Sequence, residues 1–169
     1  MIGREAAFSV DLETNEIEGA LRGRQDLAGD SVNYYRFSRT DSATSNLYDE
    51  GTGVGRVFDG PIPLPVMHVT HGEGPSEDRQ EGFYYSDSIH FTAGYTMLRR
   101  AGLTEMDLNT GSYLKDRLVY DNKVFRVMDI QVLGQIQRRD VVVGVDAVQM
   151  KPDELTGDSQ FQKWAIIPA

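Results

Sequence analysis

Residues 117–148, RLVYDNKVFRVMDIQVLGQIQRRDVVVGVDAV, decide the fold. Leu118, Tyr120, Val124, Phe125, Val127, Ile130, Val132 and Leu133 are β-branched, aromatic or large aliphatic, and Asp121-Asn122-Lys123 breaks them with a polar tight turn. That pattern predicts a hairpin. Gly134 to Asp140 reads as a second polar connection, after which VVVGVDAV supplies a third strand. Three consecutive antiparallel strands are the signature of a small β-barrel or sandwich, so the chain is expected to be mainly β.

The rest of the chain is read outward from this meander. Residues 30–40 mix aromatics with arginines and form a strand whose apolar face runs through Val32, Tyr34 or Tyr35, and Phe37. Prolines 61, 63 and 65 in GPIPLPVMHV lock φ and remove amide donors at alternate residues, which confines that segment to a sheet edge. Residues 83–98 read as one or two strands, and 103–115 as a loop or a single helical turn. Two stretches read as long polar loops, near 41–60 and near 71–82.

The ends differ from the middle. Residues 1–30 are rich in Glu, Ala, Leu and Arg, but Gly19 and Gly23 interrupt them and the apolar spacing is poor, so an irregular N-terminal arm with at most a short helix is expected. Residues 151–169 form a C-terminal extension ending in FQKWAIIPA. Its apolar side chains, Phe161, Trp164, Ile166 and Ile167, call for burial on the domain of residues 31–150 or on a neighbouring subunit.

Composition excludes several classes of function. The chain of 169 residues is long enough for one cored domain, and it holds no cysteine, which removes disulfides, thiolate metal sites and a thiol nucleophile. Twenty-six acidic residues against 17 basic ones give a net charge of -9, which disfavours gripping a phosphate backbone even though residues 30–40 interleave aromatic and basic side chains. No apolar run approaches the about 20 residues that span a bilayer.

Chemistry-bearing patterns are weak. His68-x-x-His71-x-Glu73 would need a further ligand such as His90 or Asp87, and histidines three apart on an extended segment face opposite ways. Gly51-x-Gly53-x-Gly55 lacks the Lys-Ser/Thr of a phosphate loop. No serine sits on a nucleophile elbow, and the carboxylates lie in turn-like stretches. These residues predict no enzyme, no cofactor and no metal.

Two pieces of sequence carry a resemblance. Leu47-Tyr48-Asp49-Glu50, a Gly-rich spacer, Arg56 and the Pro-spaced PIPLPV form the first; Asp116-Arg117-Leu118-Val119-Tyr120, the turn at 121–123 and VFRVMDIQVLG form the second. Together, over about residues 45 to 150, they resemble the head-to-tail connectors of tailed bacteriophages, in particular the β-barrel head-closure proteins called stoppers or neck proteins. Tyr48-Asp49-Glu50 departs from the Tyr-Gly-Glu of many members, and neither the N-terminal arm nor the C-terminal tail has a counterpart.

The resemblance implies a structural virion protein made in the host cytoplasm. Identical subunits, six or alternatively twelve, would form a ring at the neck, with portal and adaptor proteins above and a tail terminator or tail tube below. The ring would close the DNA channel after packaging and pass DNA on ejection without sequence-specific contacts. Candidate interface or channel residues are Tyr48, Asp49, Glu50, Arg56, Glu73, Glu77, Asp78, Glu81 and Trp164. The alternatives are a tail terminator or other tail-side ring, and a small ligand-binding β-barrel protein or enzyme.

Overall fold

The computed structural model describes residues 9–42, 55–74, 76–79, 82–103, 105–136, 138–155 and 157–165. Its centre is a seven-stranded antiparallel sheet. The strands are β1 (Asp30–Phe37), β2 (Phe58–Val66), β3 (His68–Gly72), β6 (Ser88–Gly94), β7 (Arg117–Tyr120), β8 (Lys123–Ile136) and β9 (Arg139–Gln149), in the spatial order β2-β1-β7-β8-β9-β6-β3. Between β3 and β6 the chain makes a separate two-stranded hairpin, β4 (Ser76–Arg79) with β5 (Gly82–Tyr85).

The deciding stretch folds as its residues predict. Asp121 and Asn122 both have positive φ, 47° and 57°, the backbone that a two-residue hairpin turn demands and that Asp and Asn tolerate best. β7 and β8 therefore pair in tight register from Tyr120↔Lys123 to Arg117↔Arg126. The second connection is shorter than expected. β8 does not end at Gly134 but continues to Ile136, opposite Arg139, so only two positions separate the strands, and Arg138 has φ 70°. Register shifts near Met128 and Leu133 absorb the extra residues, and the first lets Val127 and Ile130, of opposite parity, both face inward.

The proline strand lies at an edge, as its missing donors require: β2 pairs only with β1. β3 is the opposite edge, yet only Met67 separates the two strands, and its N–H donates to Thr92 O at 2.9 Å. Val66 and His68 are two Cα steps apart, at most about 7 Å, so the sheet must curl until its edges meet at this corner. β2 and β3 are not paired, however, and the sheet does not close into a barrel. Of the two architectures expected, the closed barrel is thus corrected to an open, curled sheet.

The concave face carries the main core. Val32 and Tyr34, Leu64 and Val66, Ile89 and Phe91, Leu118, Phe125, Val143 and Val145 alternate along their strands and are buried there. α2 (Tyr95–Arg100), α3 (Glu105–Thr110) and a 3-10 turn at Ser112–Lys115 cover one end, where Leu98, Leu103 and Tyr113 join the core. The strand expected through residue 98 thus stops at Gly94, where α2 begins.

A second cluster forms on the convex face. Tyr35, Phe58, Val119, Val124 and Met150 are covered by the C-terminal extension, which runs α4 (Pro152–Leu155), a 3-10 turn (Ser159–Phe161) and α5 (Gln162–Ala165). Phe161 is fully buried, edge-on to Tyr35 and Phe58 at 5.0 and 5.2 Å, and Trp164 leans on it at 5.7 Å. Gln160 fastens the segment: its amide takes the Phe58 N–H at 2.7 Å and donates to Phe58 O at 2.9 Å. Ile166 and Ile167 lie outside the described residues.

Two expectations need correction. The N-terminal arm is not irregular, because α1 (Val10–Ala28) is a 19-residue helix. Ser9 caps it by accepting the Leu12 N–H, and Asp11 and Glu13 suit its positive end. The acidic stretch after His71 is not a plain loop either, since Ser76–Arg79 pairs with the aromatic run Gly82–Tyr85. No helix among the described residues is long and apolar enough to cross a membrane.

Candidate functional site

Where β1 ends, the sheet opens into a cleft of about 750 Å³. One wall is the end of β1 and its continuation, Arg36 to Thr40; the other is the turn region from Thr110 to Asp116. Three cations line it. Arg36 donates to Gly102 O, Lys115 sits 5.4 Å above the Phe37 ring, and Arg39 is exposed on the rim. Asp59 and Asp116 are the carboxylates among the lining residues.

Asp116 holds the cleft floor together. It is buried, takes the Tyr34 hydroxyl on Oδ2 and accepts the Phe37 N–H on Oδ1 at 2.8 Å. A strand-end carboxylate thereby ties β1 to the start of β7. Burial pushes its pKa up from 3.8 to about 6, although those two donors, Arg36 and Arg117 pull the other way. With both oxygens engaged in the fold, it serves as a structural anchor.

The sign of that shift gives a testable pH dependence. Between pH 3.8 and about 6 the folded chain keeps a proton that the unfolded chain has lost, so this group's contribution to stability falls as pH rises through the window. The loss amounts to about 3 kcal/mol. Urea unfolding of the native protein and of Asp116→Asn at pH 4 and pH 7 should show the native protein losing most of that, about 2 kcal/mol, relative to the variant. Parallel pH profiles would show that Asp116 titrates normally.

On the convex face, Arg117 and Asp158 make a buried ion pair, Nε to Oδ2 at 3.5 Å, and Arg56 approaches the other oxygen at 3.6 Å. The Arg117 guanidinium also lies 5.5 Å over the Phe58 ring. Burial raises the Asp158 pKa and lowers that of Arg117. The trio fastens the C-terminal extension to the sheet.

The structure scatters the residues singled out from the sequence. Tyr48, Asp49, Glu50 and Glu81 lie outside the described residues. Arg56 and Trp164 belong to the convex-face cluster. Glu73 is exposed just after β3, and Glu77 and Asp78 are in β4. His68 and His71 are exposed on β3; His71 stacks near Tyr120 at 5.7 Å, while His90 pairs across strands with Asp146 at 2.6 Å on an open surface. Among the described residues, no group of three or more His, Asp or Glu could hold a metal ion.

Asp116, Arg117 and Asp158 were missed as a group. The first two stand inside the stretch DRLVY, but nothing local marks a carboxylate that will be buried. No family model and no curated protein matches the chain. Among solved structures it is similar to a chain in the virion of a native gene transfer agent particle, at 10% identity and a TM-score of 0.39, over 72% of this chain and 94% of that one.

Proposed function

We propose that this chain is the subunit of a head-to-tail stopper, or neck, ring of a tailed bacteriophage, joining the portal and adaptor to the tail and closing the DNA channel. The observation that carries the reading is the placement of the two motifs that resemble that family. The Pro-spaced strand is edge β2 and the late hairpin is β7–β8, and β1 hydrogen-bonds to both, so the two belong to one structural unit.

In this reading the β4–β5 hairpin is the channel element. It leaves the sheet between β3 and β6 and carries Glu77 and Asp78, with Glu73 exposed at its base. Carboxylates facing the channel repel DNA phosphates within a Debye length of about 8 Å, so the duplex slides without binding.

Mass photometry of the purified chain, alone and mixed with candidate portal, adaptor and tail-terminator proteins, tests the proposal. The expected result is a discrete ring of six or twelve subunits, formed alone or on those partners. A ring that engages only the tail tube would move the chain to the tail-side alternative. A monomer that ignores every partner would overturn the connector reading and favour a ligand-binding protein, with the cleft at the end of β1 as the place to look.

A further inference from the structure

We propose that the outward face of α1 on one subunit docks into the cationic cleft of the next copy of this chain. The inference rests on the ring reading and names its interface. α1 is the first observation: of its 19 residues, no described side chain is buried. Its inner side, through Leu21 and Gln25, faces Met67 and Met97. Its outer side presents Leu12, Glu16, Ala20 and Leu27, which the helical repeat brings to one face.

Leu12 is 47% and Leu27 89% exposed, and a Cβ added at Gly19 or Gly23 would meet nothing within 4 Å. A helix gains most of its stability by packing one side against a partner, and this side, Leu12, Ala20 and Leu27 included, is exposed.

The cleft is the complementary observation. From Asp11 to Leu21 the helix carries only carboxylates as charged groups. The cleft concentrates Arg36, Arg39 and Lys115 in a chain whose net charge is -9, and Leu114, 48% exposed, lines the same wall. Asp59, buried Asp116 and Asp41, which takes the Ser38 hydroxyl at 2.7 Å, offset much of that charge, and Arg39 is the exposed cation on the rim. Leu12 on Leu114, with Glu16 against Arg39, matches the two surfaces in polarity and in charge.

The placement suits a ring. α1 leads into the start of β1 and the cleft lies at its end, eight residues and about 23 Å along the strand. Two different patches set apart on one subunit make a head-to-tail contact, the kind that closes into a ring.

The absence of cysteine makes the test clean. Full-length Glu16→Cys and Arg39→Cys are prepared separately, checked for native circular dichroism, and oxidised alone and mixed. The expected result is a disulfide-linked dimer in the mixture only. In sedimentation velocity Glu16→Arg should weaken assembly at least tenfold, and Arg39→Glu in the same chain should restore it. Self-linking of Glu16→Cys would overturn the proposal in favour of helix-to-helix pairing. Rings without the mixed cross-link would overturn this interface and leave the ring standing; no cross-link and no assembly, alone or with the portal, adaptor and tail-terminator proteins, would overturn both.

Discussion

Phe161→Ala should lower the unfolding free energy by about 3 to 5 kcal/mol, the range for emptying a fully buried aromatic site. Phe161 and Leu155 carry the C-terminal extension into the convex-face cluster, and Tyr35, Phe58 and Trp164 are arranged around the Phe161 ring. The cavity cannot collapse easily, because Tyr35 and Phe58 belong to β1 and β2, which are held in register by their ladder. In a domain of this size the loss corresponds to a fall in Tm on the order of 10 °C, read by calorimetry. Phe161→Leu should recover a large part of it. A melting point unchanged in the alanine variant would mean that the extension is not packed on the sheet.

Removing one partner of the buried ion pair should be as damaging. Asp158→Ala should cost about 3 to 5 kcal/mol, because it strands the buried Arg117 charge away from water, and Arg117→Met alone somewhat less, because Arg56 still faces Asp158 at 3.6 Å. Asp158 is fully buried and Arg117 is 5% exposed, so neither can recover solvation by a small movement. In both groups burial is the largest influence on the pKa, which means that desolvation outweighs their mutual attraction. The double variant Arg117→Met with Asp158→Ala should therefore cost far less than the sum of the single changes, measured as a double-mutant cycle by urea unfolding. Strict additivity would show that the two charges do not interact.

The sequence was legible where a residue type dictates backbone geometry. Asp121-Asn122 announces a tight hairpin, and prolines 61, 63 and 65 announce an edge, because each acts within its own few residues. α1 was hidden because its stability is not written as an apolar stripe: Ser9 caps it, its inner face is only half-covered, and its glycines lower propensity without breaking it. The length of β8 was hidden by Gly134 and by the polar residues after it, which pair with β9 although they resemble a loop.

The site was harder to read than the fold. Asp116 bonds to Tyr34, 82 positions away, and Gln160 to Phe58, 102 away, so no window of sequence contains either contact. The acidic residues that did stand out are conspicuous because they cluster. Of these, Glu73 is exposed, whereas the carboxylates that organise this chain are single residues drawn into contact by distant strands.

The strand order also sets a timetable for synthesis. Two ribbons emerge from the ribosome first, β1–β2 and then β3–β6, and neither is a neighbour of the other in the finished sheet. A lone two-stranded ribbon is marginal in water. The three strands that lie between them, β7, β8 and β9, are the last to be made, so the centre of the sheet arrives after both of its flanks. Folding must wait for that late insertion, and such dependence on distant pairings slows it. During translation, the early ribbons are exposed as unpaired edges until residue 149 has appeared, and the Phe161 cluster closes later still.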